Sequence, residues 1–224
     1  MPTRGALSDD KTFTVLSSPV GERPMQSVKV PPRSIQNCQR PCIPRWYPAL
    51  GNRIWFPPVS RSLPIDQHLD AIVQAVQEHG GAVVVAQPGA GKTTRVPAQL
   101  LDAIGSPVIC TQPRRIAARL SAARVAEERS SELGAEVGYE VRFDRKTSAE
   151  TRLRFMTEGL ALRQWKRQSG RRILVLDEFH ERHLDADMLL ALAARERELS
   201  DDLSIVVMSA TLDPEPISKF LGGV

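Results

Sequence analysis

The chain has 224 residues, 42% of them hydrophobic and 25% charged, and a net charge of +4. That is enough apolar material for one full core. No stretch approaches the roughly 18 to 20 apolar residues of a membrane span, and the N-terminus lacks the layout of a secretory signal, so a cytoplasmic protein with no membrane partner is expected. The three cysteines, Cys38, Cys42 and Cys110, are an odd number in a long chain and argue against a disulfide framework.

The basicity is confined to one end. Residues 1–61 hold nine Lys or Arg against three acids, whereas the remainder carries 21 basic and 23 acidic residues. The overall charge therefore says little about nucleic-acid binding by the folded part. Ten of the 17 prolines also lie in residues 1–61, with no helical or strand period, and the segment reads as a disordered or loosely extended appendage. Its arginines with Trp46, Tyr47 and Trp55 would suit a nucleic-acid arm, and the plainer alternative is an extension with no such role. Cys38 and Cys42 lack a second ligand pair to complete a zinc site.

From residue 62 the texture changes, and a folded domain is expected over 62–224. LPIDQHLDAIVQAVQEHG sets Leu69, Ile72, Val73 and Val76 on one helical stripe and ends at Gly80 and Gly81. The short apolar runs GAVVVAQP, PVICTQP, TRLRFMTE, RRILVLDE and LSIVVMSA read as buried strands, with GYEVRFD as a further short one. Helices are expected between them over 92–104, 114–131, 158–168 and 185–199. This alternation predicts an α/β three-layer fold with a mostly parallel sheet.

The first strand ends in AQPGAGKTT, and a helix begins at once, the setting a phosphate-binding loop requires. Gly89 and Gly91, flanking Ala90, let backbone amides turn toward phosphate oxygens. Lys92 can reach the β and γ phosphates, and the Thr93 hydroxyl, followed by Thr94, can ligate Mg²⁺. The alternative is a glycine turn that merely closes a strand. Eighty-five positions after Lys92, the run ILVL ends in Asp177 and Glu178. Asp177 can hold Mg²⁺ and Glu178 can orient and deprotonate an attacking water. Alone, this pair would be an ordinary strand end; with the phosphate loop it gains force.

TQPRRIAA, MTEG, DEFHER and MSATLD follow the loop in the order of helicase motifs Ia, Ib, II and III. In these residues the chain resembles the first RecA-like domain of DEAH/RHA-type superfamily 2 helicases, and LPID, GYEVRFD and DEFHERHLDAD are most similar to the bacterial HrpB branch. The resemblance covers everything from Leu63 onward and none of residues 1–61. Ala86 stands where the general loop pattern has Gly, a departure shared by many superfamily 2 helicases, and Phe179 takes the place of Ala in the DEAH string.

The resemblance implies an ATP- and Mg²⁺-dependent enzyme that moves along nucleic acid, RNA in preference to DNA, with little sequence readout. It places Thr111, Arg114, Arg115, Thr157 and Gly159 along the nucleic-acid path and Arg124 against the adenine. His180, Ser209 and Thr211, around Ala210, would connect nucleotide state to domain movement. It further implies that hydrolysis takes place between two RecA-like domains, the second supplying arginine fingers. The sequence ends shortly after motif III, so weak hydrolysis by the chain alone is expected, since such fingers are worth about 10³ to 10⁵ in rate. Two alternatives stand beside this reading: a non-catalytic module that binds nucleotide or nucleic acid, and a different P-loop enzyme such as a nucleotide kinase.

Overall fold

The computed structural model describes residues 14–16, 62–167, 170–211 and 213–222. The appendage assigned to residues 1–61 lies outside them, except that Thr14–Leu16 forms a short strand, β1, where the sequence suggested none. The remaining strands are β2 (Gly81–Val85), β3 (Val108–Gln112), β4 (Val137–Val141), β5 (Asp144–Lys146), β6 (Leu153–Thr157), β7 (Arg172–Leu176) and β8 (Leu203–Ser209). They form one sheet in the order β1-β2-β8-β7-β3-β6-β4-β5. The six central strands are parallel, and β1 and β5 pair antiparallel at the two edges.

Among the described residues six α-helices cover the sheet: α1 (Leu69–His79), α2 (Lys92–Ile104), α3 (Arg115–Glu128), α4 (Glu158–Gln164), α5 (Leu184–Arg197) and α6 (Pro214–Phe220). Because successive strand residues point to opposite faces, each central strand feeds two cores. Val84, Cys110, Phe155, Val175 and Met208 pack with α1, α2 and α3. Val83, Ile109, Met156, Leu176 and Val207 pack with α4, α5 and α6. This is the expected α/β three-layer, RecA-like arrangement, and burial on both faces explains why the strands read as continuous apolar runs.

Parallel pairing brings the carboxyl ends of the strands to one edge. Val85 lies beside Ser209, and Thr111 lies beside both Leu176 and Met156. β8 and β7 sit between β2 and β3 although the chain visits β3 directly after β2. Such a change of strand order opens a crevice at the carboxyl edge, where ligands bind in open α/β sheets. Among the described residues, no helix is long and apolar enough to cross a membrane.

Candidate functional site: a phosphate loop facing an acidic strand end

Residues 86–91 join β2 to α2. Ala86 closes β2: its amide donates to the Ser209 carbonyl at 3.0 Å, so this position needs no glycine. Gly91, with φ +95°, ends the loop. A Cβ there would lie 2.6 Å from Leu63 Cδ1, so the site demands glycine for both backbone and space. The Ile65 amide donates to the Ala90 carbonyl at 3.1 Å, which pins residues 63–65 over the loop. The first amides of α2, with no side-chain cap at Gly91, form the positive end of a helix suited to an anion.

Lys92, the first residue of α2, is only 5% exposed. Its ammonium donates to the carbonyl oxygens of Ala86 at 2.5 Å and Gln87 at 3.2 Å. Burial lowers its pKa, opposed by the nearby charges of Asp177 and Glu178. The cation is thereby held under the loop, where a phosphate would be its strongest partner.

Asp177, 1% exposed at the end of β7, is gripped from several sides. Its Oδ2 accepts from the Thr93 hydroxyl at 2.5 Å and from Gln112 Nε2 at 2.6 Å, and its Oδ1 accepts from the Glu178 amide at 2.9 Å. Burial raises its pKa, and the hydrogen bond from Thr93 is the largest opposing influence. The Thr93 hydroxyl and the Asp177 carboxylate thus present two hard oxygen donors in contact. That donor set fits Mg²⁺, which takes one or two protein oxygens and leaves its other positions to phosphates and water.

Glu178 has φ +53°, rare for a residue with a side chain, and opens a 3₁₀ turn over Phe179–Glu181. Phe179 is buried and anchors the turn, while Glu178 remains partly exposed at its start. His180 Nδ1 lies 3.4 Å from Glu178 Oε2 and 3.5 Å from the Ala210 nitrogen. One ring nitrogen serves one of these at a time: protonated it can donate to Glu178, bare it can accept from the Ala210 amide. Ser209 is buried at the end of β8 and Thr211 is exposed just beyond it. Lys92, Thr93, Asp177, Glu178, His180 and the end of β8 are therefore brought together.

The residues expected along a nucleic-acid path are spread more widely. Arg114 and Arg115 are exposed at the start of α3, and Thr157 precedes α4. A Cβ on Gly159 would meet Asp185 Oδ2 at 2.5 Å, so this glycine permits close packing of α4 against α5. Thr111 does not reach that surface; it is buried in β3 and donates to the Val175 carbonyl at 3.4 Å. Arg124 pairs along α3 with Glu127 at 3.2 Å and Glu128 at 2.8 Å.

Three further residues belong to this edge. Gln112 steadies Asp177, Glu181 pairs with Arg114 at 3.2 Å, and Glu158 meets His183 at 3.1 Å. Burial raises the Glu158 pKa, with His183 opposing. His183 precedes α5, and its ring makes this contact from the start of the helix. All three contacts join residues far apart in the chain, and no spacing in the sequence announces them.

A phosphate loop opening a helix, facing a buried acid at the end of a parallel strand two places along the sheet, defines a P-loop nucleotide-binding domain of the RecA-like class. Within that class the chain belongs to the DEAD/DEAH box helicase family, whose model matches residues 66–220. It is 43% identical over 162 residues to the probable ATP-dependent RNA helicase DHX34 of Homo sapiens and, to the same extent, to that of Mus musculus. Each match covers 71% of this chain and 14% of the relative, so the chain spans only a small part of the proteins it resembles.

Proposed function

We propose that the chain is the ATP-binding half of an ATP-dependent RNA helicase. The observation that carries this reading is the meeting of Lys92, Thr93, Asp177 and Glu178 at one sheet edge, within a family of helicases. The loop amides around Gly89, Ala90 and Gly91, with Lys92 and the start of α2 at Thr93 and Thr94, bind the triphosphate. Thr93 and Asp177 hold Mg²⁺, which when bound neutralises charge on the phosphates. Glu178 orients a water and takes its proton, and His180 relates the state of Glu178 to the Ser209–Thr211 segment. Arg124 lies against the base.

Arg114, Arg115, Thr157 and Gly159 contribute to a sequence-tolerant surface for the sugar-phosphate backbone, with Thr111 supporting it from beneath. RNA is favoured over DNA because the matched relatives are named as RNA helicases. A second RecA-like domain completes the site and supplies opposing arginines. GYEVRFD and DEFHERHLDAD support a finer placement in the HrpB-like branch, and the odd number of cysteines suits a reducing, cytoplasmic setting. The reading is tested by RNA-stimulated ATP hydrolysis in a protein carrying both RecA-like domains. Loss of activity in Lys92→Ala and in Glu178→Gln is expected. Tight RNA binding with no hydrolysis, even with both domains present, would favour a non-catalytic binding module instead.

A further inference from the structure

Arg114 and Glu181 lie 67 residues apart in sequence and meet at the carboxyl edge. One guanidinium nitrogen of Arg114 reaches both carboxylate oxygens of Glu181, at 3.2 and 3.3 Å. This is not the two-nitrogen fork that makes arginine–carboxylate pairs strong. The partners are also unequal: the Arg114 side chain is 74% exposed and that of Glu181 25%. An incoming anion can therefore reach the cation while the carboxylate stays on the protein. A backbone phosphate could offer Arg114 a better, forked contact.

Glu181 ends the turn that Glu178 begins. Its amide donates to the Glu178 carbonyl at 3.0 Å, and the Arg182 amide donates to that of Phe179 at 3.2 Å. Glu178 and Arg182, at φ +53° and +52°, bracket the turn with two left-handed residues. Such strained positions persist only while their surroundings hold them. Glu181 is one of those holds, and its Oε2, which Arg114 also reaches, lies 3.7 Å from His183 Nε2, a partner within reach once Arg114 leaves.

We propose that Glu181 is an internal stand-in for nucleic-acid phosphate: it holds Arg114 until a backbone phosphate displaces it, and the exchange releases the turn that carries Glu178 and His180. Glu181 is thus a positioning residue that links the nucleic-acid surface to the hydrolytic one. The inference rests on the nucleic-acid reading of Arg114 given above.

The test is binding of the full chain to a fluorescein-labelled single-stranded oligouridylate of about 12 nucleotides, followed by anisotropy across a salt series. Glu181→Gln should tighten binding about two- to fivefold, the scale of one exposed ion pair. Arg114→Gln should weaken binding and lower the salt slope by about one, and in its background Glu181→Gln should have no effect. The Glu181 and Arg182 amides should exchange hydrogen faster when RNA binds, and in Glu181→Gln should already be fast without it. If Glu181→Gln does not fold, Glu181→Asp, whose shorter carboxylate withdraws from Arg114, must tighten binding in the same direction. A wild-type chain that binds, with neither variant tighter, overturns the latch alone. Tightening that persists without Arg114 also overturns it, by reducing the effect to bulk charge. A wild-type chain that does not bind the oligouridylate at low salt overturns the nucleic-acid reading and the latch with it.

Discussion

Lys92, Asp177 and Glu178 illustrate how far one residue's environment determines its use. Asp177 is buried at an energetic cost to the fold. Its raised pKa means that the folded state retains a proton over a range of pH in which the unfolded chain has released it. The cost is absent below the ordinary aspartate value and complete above the folded one. Asp177→Asn is therefore expected to raise the melting temperature at pH 7 by on the order of a few degrees while abolishing hydrolysis, with the stability gain closing as pH falls into the ordinary carboxylate range. A variant less stable than wild type at pH 7 would contradict this account of the site. Glu178, more exposed and without such a hold, should behave differently: Glu178→Gln keeps nucleotide affinity and loses about 10²-fold or more in hydrolysis in the two-domain protein, measured by single-turnover assay. The sequence pointed to these three residues because each sits in a dense local string. Gln112 escaped notice because its contact with Asp177 exists only through the pairing of β3 with β7.

At the scale of elements, the turn over Phe179–Glu181 and the phosphate loop are the parts on whose shape the proposed function depends most. The turn is too short to carry a period, so nothing in the sequence marks it as a 3₁₀ element, although Phe179 in place of Ala supplies its buried anchor. Phe179→Ala should cost about 3 to 5 kcal/mol in a denaturant melt, the range for deleting a buried aromatic; a loss under about 1 kcal/mol would mean that the turn is held by something else. Gly91→Ala forces a side chain into a left-handed position against Leu63 and should destabilise by about 1 to 3 kcal/mol, with weaker nucleotide binding in the same titrations. α2 was legible to both ends, 92–104, because Gly91 and Gly105 take left-handed backbone on either side of it. α4 was read too long: the α-helix stops at Gln164 and the chain continues as a 3₁₀ turn to Arg167. α6 and β5 are brief pieces below the length at which a pattern can be distinguished.

For the molecule as a whole, the parallel sheet and its helical cover were readable because strands buried on both faces must be apolar throughout. The order of the strands was not, since insertion of β8 and β7 between β2 and β3 is decided by packing between elements distant in the chain. That order nevertheless makes the site, by setting the loop after β2 against the acids after β7. Whether this edge binds Mg²⁺-nucleotide through the buried Lys92 is decided by titration of the chain with a fluorescent ATP analogue, with and without Mg²⁺. Saturable, Mg²⁺-dependent binding is expected, weakened about tenfold or more in Lys92→Ala and retained in Glu178→Gln. Binding by Lys92→Ala equal to that of the wild-type chain would contradict it.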